Sequence, residues 1–193
     1  MAFKLTHTLI PVIAATTMAG CTSVPIGEIQ GTLAQARSCC SSHAELPIEA
    51  LAKGTRTKFD LSTASPIFRT PEGLGYIAAF ELPPGVSMLS LQSLYTSYLP
   101  KSTYVDPGLM LLDAGKQVLA QRNELPLRKG SHWLVAGLYE HYYGANMELP
   151  PDAKYVIVFA NVQAGRTQET ASATGKLWPV RPAPVGTLAV IVR

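Results

Sequence analysis

The chain has 193 residues, with 16 Lys and Arg against 13 Asp and Glu, so its formal net charge is only +3. The basic residues are scattered and form no polybasic cluster of the kind that neutralises phosphates, which argues against a nucleic-acid partner. Apolar residues make up 47% of the chain and charged residues 15%, a composition typical of a folded protein. The length suits one domain with a substantial core.

The first residues have the order of a bacterial export signal: Lys4, a mainly apolar core at 9–15, and small residues up to Cys21. That core is shorter than the roughly 20 apolar residues of a membrane-spanning helix. Met18-Ala19-Gly20-Cys21 resembles the lipobox of bacterial lipoproteins, which implies cleavage before Cys21 and lipidation of that cysteine. We therefore predict a signal peptide over 1–20 and a lipid anchor at Cys21. An ordinary secretory signal followed by an incidental cysteine is the alternative.

Residues 22–57 show little periodicity and hold mainly small and polar side chains. This composition predicts a flexible, lipidated tether over 21–57, leading into a domain at 58–193. Thr22 follows the predicted anchor where Asp often marks retention in the inner membrane. We therefore expect the outer membrane, with the protein facing the periplasm.

Cys39 and Cys40 are the remaining cysteines, and they are adjacent. Thiols tend to pair in an oxidising periplasm, but neighbouring cysteines pair only through a strained ring. The sequence predicts either that disulfide or an intermolecular bridge. It has no Cys-x-x-Cys spacing for zinc or redox chemistry.

From Lys58 onward, short strand candidates alternate with turns rich in Pro and Gly. Residues 76–82 alternate as a half-buried strand does, with Tyr76 and Phe80 on the buried face. Residues 88–98 resume the alternation, and its phase shift at Ser93-Leu94 indicates a bulge or a bend.

Residues 109–112 and 117–121 predict a hairpin around a tight turn. Residues 155–160 and 188–192 predict further strands, the first of them apolar on both faces. The segment 133–143 has helical spacing but a strand-like composition, so its type stays open.

Two similar motifs, Leu82-Pro83-Pro84-Gly85 and Leu149-Pro150-Pro151-Asp152, each precede an apolar strand. Proline cannot donate to a strand ladder, so both motifs belong at strand ends or corners. Two such corners and several short strands predict an all-β fold, a jelly-roll-like β-sandwich.

No catalytic motif stands out. Ser131-His132 is a juxtaposition and not a triad, and His132, Glu140 and His141 lack the spacing of a zinc helix. The carboxylates are spread over separate elements, and Gly73-Leu74-Gly75 lacks the context of a nucleotide loop. We therefore predict no enzymatic activity, no metal and no cofactor.

Aromatic residues are the one concentration that suits a ligand, because amphipathic rings stack on apolar surfaces and offer polar groups. We predict Trp133, Tyr139, Tyr142 and Tyr143 as ligand contacts, with Tyr95, Tyr98 and Tyr104 in the same group. A carbohydrate has both kinds of surface. The alternative is that these are ordinary core and rim aromatics of a sandwich.

The sequence segments between residues 59 and 160 resemble, in their residues and in their order along the chain, the maltose-operon periplasmic protein (MalM) family. The resemblance is carried by 76–83, 87–91, 107–113 and 147–159, and by Cys39-Cys40-Ser41-Ser42 with the Glu45-Leu46-Pro47 that follows. It implies a periplasmic protein associated with maltose and maltodextrin utilisation, without catalytic residues. The strand layout also resembles the β-sandwich appended to secreted peptidases, which is a binding or spacer module.

These inferences combine into one leading hypothesis. It is a non-enzymatic lipoprotein that assists carbohydrate uptake or binds an envelope protein partner. A small hydrolase of envelope glycans and a structural spacer in an envelope assembly are the alternatives.

Overall fold

The computed structural model describes residues 26–70, 73–95, 101–161, 166–172 and 174–193. Within these ranges the chain forms one α-helix, a single 3₁₀ turn at His43–Glu45, and fourteen short strands joined by turns and loops. The helix is α1 (Ile26–Gln35), and the strands are β1 (Ile48–Ala50), β2 (Arg56–Leu61), β3 (Ile67–Thr70), β4 (Gly73–Glu81), β5 (Met88–Leu94), β6 (Thr103–Tyr104), β7 (Pro107–Leu112), β8 (Val118–Arg122), β9 (Arg128–Trp133), β10 (Tyr139–Glu148), β11 (Tyr155–Ala160), β12 (Gln168–Ala171), β13 (Leu177–Pro182) and β14 (Gly186–Val192).

Two sheets form the body of the molecule. One has the order β1-β4-β11-β7-β8, with β3 also paired to β4, and the other has the order β2-β14-β5-β10-β9. A small third sheet, β12-β13-β6, lies beside them. The prediction of an all-β sandwich is confirmed.

The main core lies between the two large sheets. Both contribute large apolar side chains that are almost fully buried, among them Tyr76, Phe80, Leu91, Val158 and Val190. The members alternate along their strands, as expected where one face of a sheet meets another.

A second cluster covers the opposite face of β4, which the sequence predicted to be solvated. Ile77 and Ala79 are buried there, together with Leu46, Phe68 and Phe159. The prediction that β4 is buried on one face only is therefore wrong. Alternation along one strand does not reveal that a distant segment will cover its other side.

That covering segment belongs to the region predicted as a flexible tether. Ile29 and Leu33 of α1 are buried in the main core, and β1 pairs in parallel with β4. Leu46 packs into the second cluster. The prediction of a flexible spacer is thus wrong over 26–57, because a few well-spaced apolar residues suffice to fix this segment to the sandwich. The predicted signal peptide and Cys21 lie outside the described residues.

The two Leu-Pro-Pro motifs make corners between the sheets. The first follows β4 of one sheet and leads to β5 of the other, and the second follows β10 and leads to β11. Leu82 and Leu149 are both buried in the main core. This prediction is confirmed.

The sequence predicts a bulge or a bend at Ser93-Leu94, and the bulge is wrong. The pairing of β5 with β10 runs without a break from Met88 to Leu94. Ser93 is fully buried, and its Oγ accepts a hydrogen bond from the Val105 backbone N–H at 2.9 Å. A serine can therefore hold a core position here, since its hydroxyl pairs with a buried backbone donor that would otherwise lack a partner.

The hairpin predicted over 109–121 is confirmed as β7 and β8. The segment left open at 133–143 is also a hairpin, formed by β9 and β10 with Trp133 opposite Tyr139. Ala136 and Gly137 take positive φ values of 50° and 77° in its turn.

Candidate functional site

A cleft of about 570 Å³ lies between the β9–β10 hairpin, the beginning of β14 and Lys58 in the middle of β2. We call it the end cleft. Its volume lies within the range of small-ligand sites in proteins, roughly 300–1,000 Å³. Its wall combines aromatic rings with charged and hydroxyl side chains, chief among them Tyr95, Tyr104, Tyr139, His141, Lys58, Glu140 and Thr187.

A column of aromatic rings supports one wall of the end cleft. His141 stacks on Tyr95 with ring centroids 5.9 Å apart, and Tyr95 stacks on Tyr143 at 4.9 Å. Tyr104 meets Tyr143 edge to face at 5.2 Å. Stacked rings of this kind are rigid and offer an apolar face at low entropic cost.

The phenol groups of the column are held by the small sheet. The Tyr143 hydroxyl donates to the Glu169 carbonyl at 2.8 Å, and the hydroxyls of Tyr95 and Thr170 lie 3.2 Å apart. Burial raises the pKa of Tyr104 to about 12 and also raises the pKa of Tyr143. At physiological pH both phenols therefore keep the protons that they donate to backbone carbonyls.

An ion-pair cluster forms the polar wall of the end cleft. The Glu140 carboxylate contacts Lys58 Nζ through one oxygen, and its other oxygen lies 2.7 Å from Arg56 Nη2. Arg56 also donates from Nε to the Gln92 side chain at 2.8 Å. Burial alone would raise the pKa of Glu140, but the Lys58 hydrogen bond and the two neighbouring cations, Lys58 and Arg56, outweigh burial and lower that pKa. A carboxylate held ionised in this way is suited to accept hydrogen bonds and not to act as a general acid.

The four predicted contact aromatics do not form one platform. Trp133 and Tyr139 are cross-strand neighbours, 59% and 56% exposed, and Tyr139 lines the end cleft. Tyr143 is only 2% exposed, so its assignment as a ligand contact is wrong, since it belongs to the supporting column. Tyr98, the further aromatic of that group, lies outside the described residues.

Tyr142 belongs to a second groove, of about 410 Å³, on the other side of β10. Its ring covers Gly130, where an added Cβ would lie 2.5 Å from the ring. Glycine at 130 is therefore required for the ring to lie flat on β9. Tyr139 and Tyr142 are thus aromatic residues of the same strand that face different grooves.

Sequence reasoning found Tyr95 and Tyr104 as members of the aromatic group, but it missed the ion-pair cluster. Arg56 and Lys58 alternate along β2, and that spacing places both on one face of a strand. Their partner Glu140 is 82 positions away from Lys58, and no local pattern connects them.

The described residues contain no group of three His, Cys, Asp or Glu positioned to hold a metal ion. Ser131 and His132 are exposed on β9, and His132 lies opposite Glu140 in the strand register. The structure joins Cys39 and Cys40 by a disulfide, remote from the end cleft in the strand layout. In the part of the chain that the structure describes, no helix has the length and apolarity needed to cross a membrane.

No family model matches the chain, and no curated protein matches it. Among solved structures, the chain is similar to the pre-peptidase C-terminal domain of collagenase from Bacillus anthracis, at 12% identity and a TM-score of 0.33. The alignment covers 76% of this chain and 95% of that domain.

Proposed function

We propose that this protein is a non-enzymatic lipoprotein of the bacterial envelope that binds a carbohydrate in the end cleft. It is anchored through Cys21 in the outer membrane, faces the periplasm, and assists the uptake of maltodextrins or related glycans. The lipobox resemblance supports the anchor, and the resemblance of residues 59–160 to the maltose-operon periplasmic proteins supports the ligand class.

The observation that carries the proposal is the composition of the end cleft. Tyr139 offers a half-exposed ring at the mouth, and His141 and Tyr95 offer a rigid stack behind it. Glu140 and Lys58 bring a fixed acceptor and a cation to the opposite wall. Sugars present apolar ring faces and hydroxyl groups together, and this arrangement matches both.

The position of Glu140 favours binding over hydrolysis. Glycoside hydrolysis requires two carboxyl groups on either side of the bond that breaks. Glu140 is the one carboxylate among the described residues that line the cleft, and its two basic neighbours hold it ionised. The described wall therefore offers no acid and base pair.

Calorimetric titration of the purified protein with maltodextrins and other envelope glycans tests the proposal. We expect Tyr139→Ala to weaken binding about tenfold, which corresponds to about 1.4 kcal/mol, because the ring at the mouth is lost. Tyr142→Ala is the matched control, since it removes the same side chain from the same strand but on the side of the second groove.

Equal affinities of the Tyr139→Ala variant and the wild type would refute the end cleft as the site. A wild-type protein that binds none of the glycans would refute the carbohydrate role itself. Crosslinking in intact cells would then decide between an envelope protein partner and a structural spacer.

A further inference from the structure

The turn of the β9–β10 hairpin is strongly apolar and projects into solvent. Residues 133–139 read Trp-Leu-Val-Ala-Gly-Leu-Tyr and carry no charge. All seven are exposed, with Val135 63% and Leu138 62% accessible. We call this segment the hairpin tip. Contiguous exposed apolar residues mark a contact with a partner or a membrane, because leaving them in water is unfavourable.

The chain approaches the sandwich at the same place. Ile26 and Ile29 of α1 line a groove of about 700 Å³ beside the ends of β2 and β14. That groove shares Thr103, Val185, Gly186 and Thr187 with the end cleft, and the end cleft is bounded by Leu134 and Tyr139 of the hairpin tip. The first described residue and the hairpin tip therefore lie on the same side of the molecule.

The distance from the predicted anchor is short. Four residues lie between Cys21 and Ile26, so the chain takes five steps of at most about 3.6 Å each and reaches about 18 Å. Since α1 is fixed to the core through Ile29 and Leu33, a lipid on Cys21 would hold this side of the sandwich close to the bilayer.

We propose that the hairpin tip is a second membrane contact, which inserts into the interfacial layer of the bilayer and orients the domain on it. The placement of the domain near the bilayer rests on the lipid anchor of the proposed function. The membrane contact itself rests on the exposed apolar residues of the hairpin tip. Trp and Tyr at its two ends are the side chains that prefer the boundary between headgroups and acyl chains. Val135 and Leu138 lie between them, and their side chains are the ones that insert into the bilayer.

The backbone of the tip is suited to this environment. The Leu134 N–H donates to the Leu138 carbonyl and the Leu138 N–H to the Val135 carbonyl, both at 2.9 Å. Unpaired backbone groups are the main obstacle to placing a loop in lipid. These two bonds within the turn reduce that cost.

The nearest charged side chains do not oppose the contact. Glu140 follows the tip directly, but its carboxylate is turned to Arg56 and Lys58. A convex, uncharged tip of few residues fits a deformable apolar layer.

The test uses residues 21–193, the chain that remains after the predicted cleavage, with Cys21→Ser, purified without detergent, and vesicles of phosphatidylethanolamine and phosphatidylglycerol. We expect measurable cosedimentation at high lipid concentration and an at least tenfold loss in the Val135→Ser/Leu138→Ser variant. Neither residue lines the end cleft, so carbohydrate titration of the same variant should match the wild type. Val118→Ser/Leu119→Ser on β8 is the matched control, since it removes two aliphatic side chains exposed elsewhere.

A second readout reports the depth of insertion. The chain has two tryptophans, so Trp178→Phe leaves Trp133 as its sole tryptophan, which is excited selectively at the red edge of the absorption band. Brominated acyl chains should quench Trp133 in vesicles. The proposal is overturned if the tip variant binds vesicles as well as the β8 control, or if Trp133 escapes quenching while crosslinking to a protein. If the wild-type protein isolated from cells carries no lipid, the proposed anchor is refuted. The vesicle experiment still tests the hairpin tip in that case, because it uses a chain without the anchor.

Discussion

Glu140 is the residue on which the polar wall of the end cleft depends. It connects the first strand of one sheet with a hairpin that follows much later in the chain, through contacts with Arg56 and Lys58. Its side chain and that of Arg56 are each only 16% exposed. Removal of one partner of such a partly buried ion pair destabilises the fold, because the remaining charge is left without compensation.

We expect Glu140→Gln to lower the free energy of unfolding by about 1–3 kcal/mol at neutral pH, since the ion pairs with Arg56 and Lys58 are lost. The pKa of Glu140 is lower in the folded state than its ordinary 4.5. The stabilisation is therefore present above pH 4.5 and is lost as the pH falls through the folded-state pKa.

Urea unfolding at several pH values measures this effect. The difference between the wild type and Glu140→Gln should shrink in acid, whereas Glu148→Gln, at the exposed far end of the same strand, should change little at any pH. A pH-independent difference would show that the ion pairs are not its source. Asp106, whose pKa is raised by burial, contributes equally to both proteins and cancels in the comparison.

Helix α1 and strand β1 lie in the N-terminal region that the sequence predicts to be a flexible tether, and both are fixed to the sandwich. Ile29 and Leu33 have the spacing that places two side chains on one helical face, and both lie in the core. Weak periodicity over ten residues is a poor indicator of structure on its own, since burial of two side chains depends on the surface that receives them.

Replacement of Leu33 by Ala should lower the free energy of unfolding by about 2–5 kcal/mol, through lost burial and the cavity that remains. Gln30→Ala, on the exposed side of the same helix, should change it by less than about 0.5 kcal/mol. Chemical denaturation followed by circular dichroism compares the two variants. Equal stabilities would mean that the helix is docked too weakly to belong to the core.

At the scale of the whole molecule, three features share one side of the sandwich. They are the first described turn of α1, the end cleft and the hairpin tip. A domain anchored near α1 would present the end cleft close to the membrane surface. Binding and anchoring would then be geometrically coupled without any motion of the fold.

We expect Cys21→Ser to make the protein extractable from membranes by alkaline carbonate, because several acyl chains hold a protein far more firmly than a few apolar side chains do. Fractionation of cells followed by blotting measures the extractable share. Cys39→Ser/Cys40→Ser is the matched control and should stay in the membrane fraction. Carbonate resistance of the Cys21→Ser variant would contradict lipidation at this position.

The sequence by itself determined the strands whose pattern is strictly local. Alternation predicted β4, tight turns predicted the hairpin of β7 and β8, and the Leu-Pro-Pro motifs predicted two corners between sheets. Each depends on backbone and side-chain properties within a few residues, since proline cannot donate and a strand has a period of two. An all-β sandwich followed from these features together.

Only the tertiary structure decided what covers each surface. It fixed residues 26–57 to the sandwich, buried the second face of β4, placed Ser93 opposite the Val105 N–H and divided the four predicted aromatics between the core and two different grooves. The ion pairs of Glu140 join residues more than 80 positions apart. Burial and charge pairing are properties of neighbours in space, and a local sequence pattern contains no information about which distant segments become neighbours.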